Sequence, residues 1–416
     1  MGQFWLPSLR VFVINDPEWV EKILILEPEK YPKHRLMHET LLPLTGASPF
    51  TTSGVVWSRQ RRMLDQAFGH AGLSKVFPMM QQSCKDLLQR LKVLETEPEI
   101  DIEAAMTHVT ADIIYRTIFS KPLDVSDAGK LFQAFAKFQQ SSQRALVCKL
   151  FFIPTFWFNK RRSLHANYIR DFLSKSIVAR CDYLSVEDEL KGSDILAGLR
   201  TAVDQEDGSV LTTKELIDQV CMLFLAGHET SASSLSWCFY ILSKEPDLQL
   251  RLRNEIQEIA LDRELQPNDV RQLKTLTALF REVLRLYPPV GYFPREATQD
   301  MEIRGSKVRK GDALLIFPWL LHRHRRWWDQ PDVFNADRFT VARQSEQPKA
   351  VYLPFGLGAR ACIGAGFALQ EAALVLCSVL SNYKINSVAG FEPEVIGRLT
   401  VRAEPGIKVR LSAIDK

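Results

Sequence analysis

The stretch that most restricts the fold lies between Thr212 and Pro246. Thr212-x-x-Glu215 is a capping box, in which each side chain satisfies a backbone N–H at the start of a helix. Helical spacing then continues to Lys244, and Pro246 stops it. At ~1.5 Å per residue such a helix spans on the order of 45 Å, enough to cross the whole molecule. Its apolar run, 216–242, contains Asp218, His228 and Glu229, so it reads as a core helix and not as a membrane span. Other elements must pack around it.

Inside this helix sits Ala226-Gly227-His228-Glu229-Thr230-Ser231. A mid-helix glycine costs roughly 1 kcal/mol against alanine and a buried acid costs more, so the hexapeptide needs a reason. Close helix packing with a Glu–Thr hydrogen bond is one. His228 points about 100° away from Gly227 and reads as structural.

A second exceptional stretch is Phe355-Gly356-Leu357-Gly358-Ala359-Arg360-Ala361-Cys362-Ile363-Gly364, a glycine-broken loop running into an apolar helical pattern. Cys362 is expected just before a helix N-terminus, where unpaired N–H groups and the helix dipole favour a thiolate. A metal would remove the proton outright. Glycines let backbone turn sharply and approach a flat ligand, and Arg360 suits an anionic group on it. An isolated cysteine is commonly a small buried hydrophobe.

Phe-x-x-Gly-x-Arg-x-Cys-x-Gly, with Phe355, Gly358, Arg360, Cys362 and Gly364 at its fixed positions, resembles the haem-binding signature of the cytochrome P450 family, here of soluble bacterial type. The resemblance implies that Cys362 is the proximal thiolate of haem b, iron protoporphyrin IX. The hexapeptide looks like the family's oxygen-activation motif: Gly227 would leave room for dioxygen, while Glu229 and Thr230 would organise protons or water. Trp57 and Arg61, four apart on one helical face, Arg295 and Arg360 would hold haem propionates. Glu282 and Arg285 would lock onto Arg338 as a structural triad, although Ala336 replaces the family's usual proline. Phe224, Val290, Tyr292, Phe293 and Leu399 would face substrate, and Thr400 could reach the same pocket.

Elsewhere, strand 9–14 ends at Asn15-Asp16-Pro17 and a helix follows over 18–26; 43–54 is turn-rich, and a helix opens at Trp57. Amphipathic helices fill 78–180, with polar breaks at 95–99 and 121–127. The aromatic segment 151–158 reads as core packing, whereas the resemblance implies a lid over the substrate channel. A strand over 290–295, turns at Gly305 and Gly311, and a small closing sheet within 391–412 complete the pattern. The expected fold is mainly α with a minor β region, one domain over 1–416, haem lying between the long helix and the cysteine loop.

Net charge of +4 does not indicate nucleic-acid binding, and 323–328 reads as a solvated basic segment. Seven cysteines without close pairs imply neither a disulfide framework nor a zinc site. The N-terminus lacks signal-peptide features, so a cytoplasmic protein is expected, the alternative being a longer, membrane-anchored form. The resemblance implies a monomeric monooxygenase inserting oxygen from O2 into an apolar small molecule, with electrons from a separate ferredoxin or flavin reductase. Docking would use Arg59, Arg62, Arg323 and Arg325. A peroxide-driven peroxygenase of the same fold and a haem-binding gas sensor remain as alternatives.

Overall fold

The computed structural model describes residues 2–183, 193–260, 263–339 and 348–414. The long helix spans Thr213–Lys244. Its capping box closes, with Glu215 N donating to Thr212 Oγ1 at 3.3 Å and Thr212 N donating to Glu215 Oε2 at 2.9 Å. Helices Ile102–Phe119, Phe156–Tyr183, Lys274–Leu286 and Ala365–Leu380 surround it. Its interior charge is matched: Asp218 accepts from Arg170 Nη2 at 2.7 Å and Ala47 N at 2.9 Å, so a buried carboxylate has partners. Among the described residues no helix is long and apolar enough to cross a membrane.

Helix His70–Leu94 ends where the first polar break is expected, and Asp124, inside the second, caps Val125–Leu150, which starts three residues before that break is expected to end. Two expectations need correction. Pro43 lies inside helix Arg35–Thr45, so the turn-rich stretch starts later than expected, at the helix end on Gly46 with φ +52°. Segment 151–158 is not core, because Phe151, Phe152, Ile153, Phe156 and Trp157 are all exposed. Strand Gly2–Leu6, which the sequence reading missed, pairs antiparallel with Leu9–Ile14.

That hairpin joins Ala313–Ile316 and Phe293–Glu296 in a four-stranded sheet. Turns at Gly305 and Gly311 form as expected, with φ +77° and +89°. Val401–Glu404 pairs with Glu394–Gly397, and Lys408–Ala413 lies between Ile100–Asp101 and Tyr383–Ser387. Among the described residues every cysteine is free. The architecture is mainly α with four small sheets among the described residues, and the long helix packs on both the cysteine helix Ala365–Leu380 and Ile102–Phe119.

Candidate active site

The cysteine loop is built by backbone. Cys362 N donates to Phe355 O at 2.7 Å and Ala361 N to Gly358 O at 3.0 Å. Gly358 has φ +70°, and a Cβ there would run into the Leu24 carbonyl. The glycine thus lets the loop seat on the turn Lys22–Leu26. The following helix begins at Ala365 with Gly364 as its cap, three residues beyond the sulfur. Cys362 is accessible at its surface yet closely surrounded by protein. Burial therefore pushes its thiol up, against the Gly364 N–H and the Arg61 charge, which pull it down. The proton would then be removed by a metal, as expected for a coordinated thiol.

A cluster of cations lies beside the loop. Lys33 and Arg295 face each other in an isolated antiparallel bridge, a pairing that projects both side chains to one face, where like charges are unfavourable. Burial, then Arg360, then Arg295 push the Lys33 ammonium well down. Arg295 is pushed down to about 10 by burial and by Arg360, and Arg360 to about 10 by burial. Their acceptors are neutral: Lys33 Nζ donates to Pro49 O at 2.9 Å, Arg295 Nη1 to Pro294 O at 3.0 Å, and Arg360 to Thr52 O at 3.3 Å and Ser53 Oγ at 3.2 Å. None of the three pairs with a carboxylate among the described residues. A buried arginine, Arg295, with half-buried Lys33 and Arg360 beside it and only neutral partners, fits a dianionic ligand, and the two propionates of haem b are such a pair.

Trp57 stacks under this cluster, its ring 4.3 Å from the Arg360 guanidinium carbon. Arg61 donates through Nη1 to Ala361 O at 2.7 Å and through Nε to Asp65 at 3.0 Å. It ties helix Gly54–Phe68 to the residue before the cysteine, with Nη2 left for a further acceptor.

On the long helix, Thr230 Oγ1 donates to Ala226 O at 2.7 Å. Glu229 accepts from Arg402 Nη2 at 2.9 Å and Thr400 Oγ1 at 3.2 Å. Burial alone would raise its pKa, but Arg402, then His228 and Gln139, outweigh that and hold the carboxylate far below the usual range. Arg402 Nη1 also donates to Glu103 Oε1 at 3.0 Å, while burial raises the Glu103 pKa. His228 Nδ1 lies 2.7 Å from Phe224 O, and its Nε2 lies 3.4 Å from Glu229 Oε1. At Gly227 a Cβ would come within 2.9 Å of Ile114 Cγ1, so the glycine lets the long helix pack closely on Ile102–Phe119.

Glu282 and Arg285 are fully buried and doubly hydrogen-bonded, Nε to Oε2 at 2.7 Å and Nη2 to Oε1 at 2.8 Å. Arg338 Nε adds a bond to Oε1 at 3.1 Å, so the triad forms with Ala336 in place. Arg285 further donates to His322 O at 2.8 Å and Pro331 O at 2.5 Å.

Phe224 does not reach a pocket. It is fully buried and stacked on Phe135 at 5.6 Å, which corrects its assignment to substrate. Val290 and Leu399 are half-buried, Tyr292 is more exposed, and Phe293 lies near Gly356 at the cysteine loop. Of the docking arginines, Arg59 pairs with Glu215 at 2.7 Å, Arg62 with Asp204 at 2.7 Å and Arg323 with Asp332 at 3.3 Å. Their charge is largely spent inside the protein, and Arg325 is the exposed one. Sequence reasoning missed Lys33, Glu103 and Arg402; no spacing marks them, since Arg402 lies 173 positions from Glu229.

The sequence profile of the family described as Cytochrome P450 matches residues 1–411. Cyclooctatin synthase of Streptomyces melanosporofaciens is 27% identical over 395 residues, 95% of this chain and 85% of that protein. Human cytochrome P450 4F11 is 30% identical over 438 residues, covering 99% of this chain and 82% of its own. Among solved structures, the cytochrome P450DA heme domain superposes with a TM-score of 0.88 at 24% identity, covering 99% of this chain and 90% of that one.

Proposed function

The chain belongs to the cytochrome P450 family, which makes it a haem b monooxygenase, and from that premise we propose that it hydroxylates an apolar small molecule using electrons from a separate ferredoxin or flavin reductase. Haem b, when bound, supplies the iron at which dioxygen is activated. One oxygen atom enters the substrate C–H bond; the other leaves as water, with two electrons and two protons.

In this reading Cys362 gives the iron its sulfur, and Phe355, Gly358 and Gly364 shape the loop that presents it. Lys33, Arg295, Arg360, Trp57 and the remaining nitrogen of Arg61 hold the propionates. Thr230 holds a proton at Oγ1, which now points to Ala226 O. Glu229 is kept ionised, so for its Oε2 to carry a proton Arg402 must first let go. Val290, Tyr292, Phe293 and Leu399 lie on the substrate side. Glu282, Arg285 and Arg338 keep the fold. The enzyme is a cytoplasmic monomer, with residues 1–416 forming one domain.

The carrying observation is the carboxylate-free cluster of Lys33, Arg295 and Arg360 beside Cys362. Reduced protein under carbon monoxide should show the red-shifted Soret band of thiolate ligation, and Cys362→Ser should abolish it. Peroxide-supported turnover exceeding reductase-supported turnover would make the protein a peroxygenase. A bound organic ligand that is never oxidised under reducing, aerobic conditions would make it a haem-binding sensor.

A further inference from the structure

One guanidinium serves two acids: Arg402 Nη2 donates to Glu229 Oε2 at 2.9 Å and Nη1 to Glu103 Oε1 at 3.0 Å. A third acid stands close. A Cβ on Gly406 would lie 3.7 Å from Glu103 Oε2 and 3.8 Å from Asp101 Oδ1, so both carboxyls flank one point of the turn before Lys408–Ala413. Asp101 is exposed and caps helix Ile102–Phe119, accepting from Ala104 N at 3.0 Å. Lys408, opposite Asp101 in the sheet, is paired with Glu99 at 3.0 Å. Polar side chains thus run from the surface at Asp101, through Glu103 and Arg402, to Glu229, the neighbour of Thr230 in the long helix.

The two acids on the guanidinium are not equivalent. Glu229 has Arg402, Thr400 Oγ1 at 3.2 Å and His228 Nε2 at 3.4 Å around its oxygens. Glu103 has Arg402 on Oε1 alone, and its Oε2 is buried with no partner. An ionised oxygen kept from water with no donor is costly, and a proton removes most of that cost. Burial raises the Glu103 pKa, Arg402 pulls it down, and Asp101 and Glu229 push it up again. The proton of this trio therefore belongs on Glu103 and the charge on Glu229. Two acids whose surroundings drive them apart in this way divide into one that holds a proton and one that can take it.

We propose that Glu103 is a positioning residue for proton delivery, deciding through Arg402 whether Glu229 is held or released. While Glu103 keeps its proton, Arg402 stays on Glu229 and the carboxylate is locked. When Glu103 gives the proton up, its new charge draws the guanidinium over, and Glu229, set free, takes a proton at Oε2. One proton has moved from Glu103 to Glu229, only O–H bonds have been broken and made, and the net charge of the trio is unchanged. Asp101, at the surface, returns a proton from solvent to Glu103. The inference rests on the oxygen chemistry proposed above and adds to it the residue that times the supply.

The test has two readouts on the haem-loaded protein. The first is the infrared carbonyl stretch of a protonated carboxyl, recorded in a Glu371→Gln background because Glu371 also keeps a proton. A band should titrate with a midpoint above the ordinary glutamate value of ~4.3, vanish in Glu103→Gln and persist in Asp101→Asn. The second is oxygen consumption driven by a surrogate ferredoxin and its reductase, in H2O and in D2O, since reduction of oxygen to peroxide or to water takes up protons either way. Glu103→Gln can still accept from Arg402 but cannot take the charge. It should consume oxygen about tenfold more slowly or less, with a larger solvent isotope effect, and Glu103→Asp should recover part of the rate. No band assignable to Glu103, or a Glu103→Gln protein with the parent's rate and isotope effect, would overturn the proposal. A parent protein without the red-shifted carbon monoxide band would instead overturn the haem reading, which the infrared result does not depend on.

Discussion

Glu229 and Arg402 meet in the interior at 2.9 Å from opposite parts of the chain, the first on the long helix and the second on strand Val401–Glu404. The guanidinium spans two carboxylates, Glu229 and Glu103. Replacing it strands buried negative charge. Arg402→Leu should therefore lower stability by about 3–5 kcal/mol, the range for breaking a buried pair from one side. Glu229→Gln added to Arg402→Leu should recover part of that loss, and a denaturation cycle over the four proteins measures it.

The same pair gives a sign for acid sensitivity. The folded pKa of Glu229 is depressed, so its stabilising contribution is full above the unfolded value near ~4.3 and is lost as pH falls toward the folded value. Without Arg402 the depression goes. Acid unfolding of Arg402→Leu, followed by circular dichroism, should begin at higher pH than in the parent protein.

Glu371 runs the other way. It sits on the cysteine helix, buried, with neither carboxylate oxygen hydrogen-bonded, and burial pushes it up to about 8 while Ser231 pulls weakly down. The folded state keeps a proton that the unfolded chain releases near ~4.3, so stability falls as pH rises through that window and levels off above about 8. Glu371→Gln keeps the shape and removes the titration. Its Tm should change less between mildly acidic and mildly alkaline buffer, and at the alkaline end it should be more stable than the parent by roughly 1–3 kcal/mol.

Lys33 supplies a two-sided prediction. Without an anion its charge repels Arg295 and Arg360; with haem propionates beside it, it holds them. Lys33→Met should stabilise the haem-free protein and speed haem loss from the loaded one about tenfold, as expected for a lost charged hydrogen bond of ~1.5 kcal/mol. Haem transfer to apomyoglobin gives the rate, and thermal unfolding of the haem-free protein gives the other half. A slower release would remove Lys33 from the propionate site.

What the sequence disclosed follows from how local each signal is. Thr212 and Glu215 cap a helix three residues apart, Glu282 and Arg285 share one turn, and the ten residues around Cys362 carry their own turns, so each was legible. Arg402 reaches Glu229, and Lys33 reaches Arg295, only after the chain has folded. At Gly227 the sequence shows a missing side chain but not the neighbour packed against it, which is Ile114. Phe224 and 151–158 exchanged roles for a related reason. An aromatic in the middle of the long helix is buried by neighbours on several helices, while aromatics in the connection 151–155 and at the first turn of helix Phe156–Tyr183 have too few neighbours to cover them.

Gly54 and Gly358 separate backbone strain from steric contact. Both have positive φ, +61° and +70°, a region that costs an L side chain about 1–2 kcal/mol. At Gly54 nothing lies within 4 Å of a Cβ, so Gly54→Ala should lose only that strain. At Gly358 the Cβ meets the Leu24 carbonyl, which is backbone and cannot rotate away. Relief would shift either the turn Lys22–Leu26 or the loop that carries Cys362. Gly358→Ala should therefore lose a further ~1–3 kcal/mol, the cost of forcing atoms into a packed site, and bind less haem at equal expression. Urea denaturation of the two variants side by side, with haem content read from absorbance, distinguishes the terms. Equal losses would mean that the Leu24 contact is not what requires glycine at position 358.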